Sequence, residues 1–282
     1  MIYTQEQVNL HSHTIYSGHG EGYPADYVKI AAPLKVIGFS EHSPQPGNDF
    51  PPSWLSYCNL EPYTALVRHE QLQNDKRDVK VLLGLECEWK DNLKNFFVEE
   101  LLGKYNFDYL ISGIHFYYYP DGTKKYIGKI EDFRPCLKWY VDVYTKALSS
   151  GLFLFGCHPD LFARGIYKWD KEAESASRDI IQCAIDLDIP LEMNDYGLRK
   201  KRIMTAEGER QPYTVIQFWQ MAKDMGVKIC TNTDAHFLKD IHGNPTDGYK
   251  NASYAMAAGL GIKFVNWDIT FHSGKKTDIS AC

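Results

Sequence analysis

The sequence predicts an α/β protein, a closed or nearly closed barrel of parallel strands covered by helices. Short runs rich in Val, Ile, Leu and Phe alternate with segments of helical spacing along the chain. The runs are nearly continuously apolar, as strands buried on both faces are. No break in composition divides the 282 residues, so 1–282 reads as a single domain, of a size compatible with one α/β barrel of about 250 residues.

The candidate strands, in order, are Gln7–Leu10, Lys35–Phe39, Val79–Glu86, Phe107–Ser112, Leu152–Gly156, Ile189–Glu192, Val227–Thr231 and Ile262–Val265. Helical spacing marks Pro62–Asp75, Leu93–Lys104, Phe133–Ser150, Lys171–Asp188, Tyr213–Met225 and Ala252–Leu260. Two segments break the alternation. Ser43–Leu60 is proline-rich and aperiodic, and a long structureless loop in a compact domain is often a lid. Leu198–Gln211 carries a run of Lys and Arg just beyond a strand and reads as a solvated loop.

Composition narrows the function. A hydrophobic content of 44% with 24% charged residues is ordinary for a globular chain and disfavours disorder. Lys+Arg 31 against Asp+Glu 36 gives a net charge of −5. No global basic field exists to hold nucleic acid, so any anion site is local. The first residues lack the pattern of a signal peptide and no run is long and apolar enough for a membrane span, so a cytoplasmic protein without a membrane partner is expected. The seven cysteines form no CxxC pair and suit reduced, core-filling thiols.

Histidine placement is the most informative feature. His11 and His13 follow the first strand, His42 the second, His115 the fourth, His158 the fifth and His236 the seventh. Glu86 ends the third strand, and Asp234 stands two residues before His236. In a parallel barrel these ends converge on one face, where such folds place chemistry. Imidazoles and carboxylates gathered in one cleft are costly unless something binds them, and divalent cations do so. A set rich in N and O, without an obvious Cys ligand, suits Zn²⁺, Fe²⁺ or Mn²⁺. Glu88 shares the strand face of Glu86, but Glu86 is preferred for its glycine context; Glu41 reads as a support for the ligands. His69, His242 and His272 fall outside the pattern, and Tyr117–Tyr119 read as packing residues.

These motifs, H-x-H at His11–His13, His19, SEH at His42, G-x-E at Glu86, His115, His158 and D-x-H at Asp234–His236, resemble the polymerase and histidinol phosphatase (PHP) family. The resemblance implies a distorted (β/α)7 barrel and three divalent ions. One ion would take His11, His13, Glu86 and Asp234, and a second Glu86, His115 and His158, with Glu86 bridging. The third would take His19, His42 and His236. The segment LEMNDYGLRK at 191–200 is similar to the histidinol-phosphatase branch, which implies phosphate binding by Arg164 and Arg199.

A hydroxide shared by two such ions is a strong nucleophile toward phosphorus. Phosphate ester hydrolysis is therefore expected, with Asp234, His236 and His42 as candidates for proton transfer to the leaving group. No G-x-S-x-G elbow, P-loop or HExxH signature competes. The implied substrate is a small monoester, L-histidinol phosphate, which would place the protein in histidine biosynthesis. A phosphoesterase acting on nucleotides, nucleic-acid ends or phosphotyrosine remains the alternative within enzymes, and an inactive metal-binding interaction module the alternative outside them.

Overall fold

Val81, Leu82, Leu83 and Leu85 make Lys80–Cys87 largely apolar, and every residue after the first is buried, as befits a strand covered on both faces. The computed structural model, which describes residues 1–46, 54–242, 252–272 and 276–282, builds this strand into a ring. In chain order the elements are β1 (Ile2–Thr4), β2 (Val8–Asn9), α1 (Pro24–Ile30), β3 (Val36–His42), α2 (Leu60–Gln71), β4 (Lys80–Cys87), a π-helical segment (Phe96–Lys104) and β5 (Tyr109–Ser112). The hairpin β6 (Phe116–Tyr118) and β7 (Lys124–Tyr126) precedes α3 (Leu137–Ser149), α4 (Lys171–Asp186), β8 (Leu191–Asn194) and the short α5 (Asp195–Arg199). A second hairpin, β9 (Ile203–Thr205) and β10 (Gly208–Arg210), leads to α6 (Ile216–Met225), β11 (Ile229–Asn232), α7 (Ala252–Leu260), β12 (Asn266–Thr270) and β13 (Asp278–Ala281).

Strands β2, β3, β4 and β5 pair in parallel in that order, and β8 pairs in parallel with β11. Parallel bridges from Ser112 to Gly156 and from Gly156 to Leu191 set the 154–156 stretch between β5 and β8. A bridge from Ser12 to Ala235 joins the two ends. Seven strand positions thus curl into a distorted (β/α)7 barrel. The expected strand at Leu152–Gly156 is present only as this bridging stretch, tied by Leu154 N to Leu110 O (2.8 Å) and Gly156 N to Pro190 O (3.0 Å).

The expected eighth strand is displaced. Ile262–Val265 is irregular, and β12 begins at Asn266 instead, pairing antiparallel with both β1 and β13. Its residues alternate exposed and buried, the pattern of a half-covered strand, whereas apolar density had pointed to the preceding residues. The inward Trp267 packs with Tyr3, Val8 and Val265, and its Nε1 donates to Gln5 Oε1 at 3.0 Å. The Leu198–Gln211 segment is also not a plain loop. It closes α5 and forms the β9–β10 hairpin, where Arg210 donates to the carbonyls of Ala163 (2.7 Å) and Ile166 (2.8 Å). Of the expected lid, Trp54 and Leu55 are buried, and residues 47–53 lie outside the described residues. No helix among the described residues is long and apolar enough to cross a membrane.

The two-residue period of the strands sorts side chains between two cores. Ile37, Phe39, Val81, Leu83 and Leu85 pack in the cluster that includes the helices, while Val36, Leu82 and Ile111 fill the barrel with Tyr109. Gly38 and Gly84 make room for the Tyr109 ring: a Cβ at Gly84 would sit 2.2 Å from Tyr109 Cζ. Tyr109 OH donates to Leu10 O at 2.8 Å, stitching β5 to the β2 segment across the interior. Gly84→Ala should therefore overpack this layer and destabilise the protein by about 1–3 kcal/mol. Urea denaturation checks this; an unchanged midpoint would remove Tyr109 from its place as the internal strut.

Candidate metal centre

Glu86 leaves β4 two residues after Gly84, on the same inward face, and reaches the end of the barrel where the other strand ends meet. It is 1% exposed. Its Oε2 lies 2.8 Å from His42 Nδ1, 3.4 Å from His11 Nε2 and 3.5 Å from His13 Nε2. Its Oε1 lies 2.8 Å from His158 Nε2 and 3.2 Å from His115 Nε2. Asp234 Oδ1 approaches His13 Nε2 (3.2 Å), His236 Nδ1 (3.4 Å) and His11 Nε2 (3.6 Å). One carboxylate therefore faces five imidazoles, and a second faces three.

Several of these atoms are buried without a hydrogen-bond partner: His11 Nε2, both nitrogens of His13, His42 Nδ1, Glu86 Oε2 and Asp234 Oδ1. Orphaned polar atoms are costly in a protein interior. Donors from His13, His42 and His236, from His11, His13 and Asp234, and from His42, Glu86 and His115 lie within 4.8 Å of one another in each group. This donor set fits divalent cations. Cys157, which sequence reasoning passed over, joins a further such group with His11 and Glu86, and burial pushes its thiol well up. His19 is in none of these groups. Its Nδ1 lies 2.9 Å from Ser17 O, and its ring stands 4.5 Å from that of His236 and 5.5 Å from that of His42.

A second layer orients the imidazoles. His11 Nδ1 meets Glu192 Oε1 at 2.9 Å, and Glu192 in turn accepts from Asn232 Nδ2 (3.1 Å) and Asn194 Nδ2 (2.9 Å). Such carboxylate–histidine contacts fix ring orientation and raise ligand basicity. Sequence reasoning missed Glu192, although a carboxylate in the apolar run IPLEMN was the available signal. Glu88 accepts from the backbone nitrogens of His115 and Phe116, each at 2.9 Å, and faces His115 Nδ1 at 3.2 Å, so it supports the ring while Glu86 occupies the centre. Glu41 accepts from Thr14 N (2.7 Å) and faces His13 Nδ1 at 3.8 Å. His158 and Asp234 have φ of 29° and 47°, left-handed backbone held by the surrounding structure.

The cluster opens into a cavity of about 500 Å³ lined by His19, His42, His115, His158, Asp234 and His236 on one side and largely by aromatic residues on the other. Trp54 stacks on His42 with centroids 5.1 Å apart. The aromatic wall continues through Phe116, Tyr126, Tyr196 and Tyr213, and the cations lining it are Lys129 and Lys200. Neither Arg164 nor Arg199 lines it. Arg164 Nε donates to Gly128 O, and Arg199 donates to Asp195 and, at 2.8 Å, to Thr233 O. Arg199 lies four residues beyond Asp195 on α5 and pairs with it, and its guanidinium also stands 5.3 Å from the centroid of the Tyr196 ring. His69 is exposed, His242 contacts Ile30 O, His272 pairs with Asp278, and Tyr117 packs on Tyr119 and Trp139.

The PHP domain family matches residues 9–196, and the chain belongs to that family. A Deinococcus radiodurans protein named "Probable histidinol-phosphatase" is 28% identical over 238 residues, covering 80% of this chain and 85% of that one. Two solved structures share the fold. A Lactococcus lactis histidinol phosphate phosphatase complexed with zinc, L-histidinol and phosphate aligns with a TM-score of 0.66 at 21% identity, over 97% of this chain and 99% of that one. A Listeria monocytogenes HisK, named "putative histidinol phosphatase", aligns with a TM-score of 0.69 at 16% identity, over 86% and 99%.

With no cation bound, His13 and His115 favour their protonated forms, whereas burial drives His42 and His236 toward the neutral form. Burial would push the Glu86 carboxyl up, but His115, His42 and His11 hold it well below the usual range. Burial would lower His13, but Asp234 and Glu41 raise it to about 9; His115 is likewise raised to about 10, chiefly by Glu86 against its burial. Imidazoles raised from 6.5 contribute stability that is fully present below pH 6.5 and lost as pH rises through 9 to 10. Chelated protein should therefore melt at progressively lower temperature across that window, while protein loaded with divalent metal should not. Metal binding near neutral pH should also release protons. Melting curves with and without chelator, and calorimetry in buffers of different ionisation enthalpy, check both; a flat chelated profile up to pH 10 would show that these imidazoles carry no such protons.

Proposed function

We propose that the chain is a metal-dependent phosphomonoesterase whose substrate is L-histidinol phosphate. The observation that carries the reading is the buried Glu86 carboxylate, set among five imidazoles, next to a cavity with an aromatic wall. His11, His13, Glu86 and Asp234 would hold one divalent ion, Glu86, His115 and His158 a second, and His42 and His236 with His19 or His13 a third, of Zn²⁺, Fe²⁺ or Mn²⁺. Such ions, when bound, activate water and neutralise charge developing on a phosphoryl group.

The chain's own residues supply the rest. Glu192 and Glu88 hold His11 and His115 in their orientations, so the donor array is formed before substrate arrives. Asp234 lines the cavity while Asn194 Nδ2 donates to its Oδ2 at 3.1 Å. Asp234, with His236 Nδ1 3.4 Å from its Oδ1, and His42 are the candidates to move the proton between the attacking water and the leaving alkoxide oxygen. Trp54, Phe116, Tyr126, Tyr196 and Tyr213 give the imidazole ring of the alcohol a flat, largely apolar bed and exclude bulk water. The homologues named for histidinol phosphate turnover support this choice among monoesters.

A phosphate-release screen tests the reading, with protein loaded separately with Zn²⁺, Fe²⁺ and Mn²⁺ and offered L-histidinol phosphate, an aryl phosphate, nucleotides and phosphotyrosine. Histidinol phosphate should have the highest kcat/KM; preference for a nucleotide or phosphotyrosine would move the chain to another substrate, and no turnover at all would make it a binding module. Glu86→Gln keeps the side-chain volume and removes the central charge. It should lower bound metal and cut kcat by about a hundredfold or more, the scale of losing one electrostatic partner of the transition state, with the far-UV circular dichroism unchanged. Full metal content with near-normal turnover in this variant would take Glu86 out of the site.

A further inference from the structure

Arg199, one of the two expected phosphate anchors, is bound to Asp195 and Thr233 O and is not among the residues that line the cavity. Lys200 lines the cavity, with its Nζ 3.5 Å from the centroid of the Tyr196 ring. The other end of this arrangement is the metal cluster, since Tyr196 is stacked on His236 with centroids 4.8 Å apart and planes inclined by 25°. Tyr196 thus joins an ammonium group to a candidate metal ligand across one ring.

The platform is fixed. Tyr196 lies on α5, and Lys200, four residues on, is the C-cap that ends it, so its ammonium meets the ring. Asn194 caps α5 by accepting from Gly197 N at 3.1 Å, and the same amide donates to Glu192 and Asp234. Gly197 is packed so closely that a Cβ there would lie 2.5 Å from Thr214 Oγ1. Arg199, bound to Asp195 and Thr233 O, holds the end of the helix. Among the described residues no carboxylate lies within ion-pair distance of the Lys200 ammonium, and the carboxylate whose charge it feels is Asp234, another residue lining the cavity. A partly buried lysine on an aromatic face beside a phosphoester site has one chemical complement there, an anionic oxygen.

We propose that Lys200, carried on Tyr196, contacts a non-bridging oxygen of the phosphoryl group and is a substrate-binding residue of this site, with Arg199 as its strut. The inference rests on the phosphomonoesterase reading for the identity of the anion, but not on histidinol as the alcohol. Lys200 acts as a point charge with rotatable donors, so arginine can substitute for it in part.

The test uses the metal-loaded protein and inorganic phosphate as the probe. Lys200→Met, Lys200→Arg and Lys201→Met are compared by phosphate-induced shift in melting temperature, by the inhibition constant of phosphate against an aryl phosphate, and by metal content. Lys200→Met should weaken phosphate binding roughly ten- to a hundredfold, the effect of losing one hydrogen bond to a charged group, with metal content unchanged. Lys200→Arg should recover most of the loss. Lys201 is exposed, and Lys201→Met, which removes the same charge one residue further on, should change phosphate binding less than about twofold. Wild-type phosphate affinity in Lys200→Met overturns the proposal, as does an equal loss in Lys201→Met. Metal loss from Lys200→Met, or no recovery in Lys200→Arg, overturns it too, by making Lys200 a support for Tyr196 and His236. Because inorganic phosphate and its melting shift are read directly, a chain that prefers a different alcohol, or turns over no aryl phosphate, still returns a decision on Lys200.

Discussion

A carboxylate that is 1% exposed can stay ionised only if its surroundings are built around it, and Glu86 sets that requirement for the whole barrel end. Its oxygens face His11, His13 and His42 on one side and His115 and His158 on the other, residues delivered by four different strand ends. A one-residue slip of β4 against β3 would send Glu86 into the helical layer and bring Leu85 or Cys87 to the cluster. The pairing of His42 with Glu86 at the top of the β3–β4 ladder shows the register that prevents this. The same register puts Gly38 and Gly84 beside Tyr109, so a tyrosine can cross the barrel beneath the charged layer. Packing below and electrostatics above are two consequences of one alignment.

Charges are graded outward from that centre. Glu192, Glu88 and Glu41 each face the far side of an imidazole whose other nitrogen points toward Glu86 or Asp234, and each is itself held by amides, a hydroxyl or backbone N–H groups. The inner carboxylates carry the demand for cations, and the outer ones restrict ring rotation, so the donors stay aimed with little entropy left to lose on binding. His158 and Asp234 reach their places through left-handed backbone, a local cost that the barrel's pairing on either side sustains.

Much of this was legible because parallel strands announce themselves by apolar density and their ends fall next in sequence. His11, His42, Glu86, His115, His158 and His236 could all be placed on one face by that logic alone. The logic fails where density and order separate. Ile262–Val265 is largely apolar but forms no strand, since the residue pattern that alternates, and so pairs with β1, starts at Asn266. Phe96–Lys104 showed helical spacing but winds as a π-helix. Glu192 was hidden because a single carboxylate in a buried strand is ambiguous until its partner, His11, is brought 181 positions back along the chain.

Arg199 and Lys200 show the limit most clearly, because one ends a one-turn helix and the other is its C-cap, and a motif cannot say how two adjacent cations there divide their contacts. The outcome was set by neighbours. Asp195 sits one turn before Arg199 and Tyr196 one turn before Lys200, so the guanidinium, 5.3 Å from the Tyr196 centroid, pairs with a buried carboxylate, while the ammonium sits closer, at 3.5 Å, on that same ring stacked on His236. Guanidinium with its rigid fork suits a fixed, bidentate partner, and a flexible ammonium suits a ligand that arrives and leaves. The two cations at the end of this helix are therefore divided between holding the site together and facing what enters it, and Asn194, which caps the helix while binding both Glu192 and Asp234, ties the division to the candidate metal cluster.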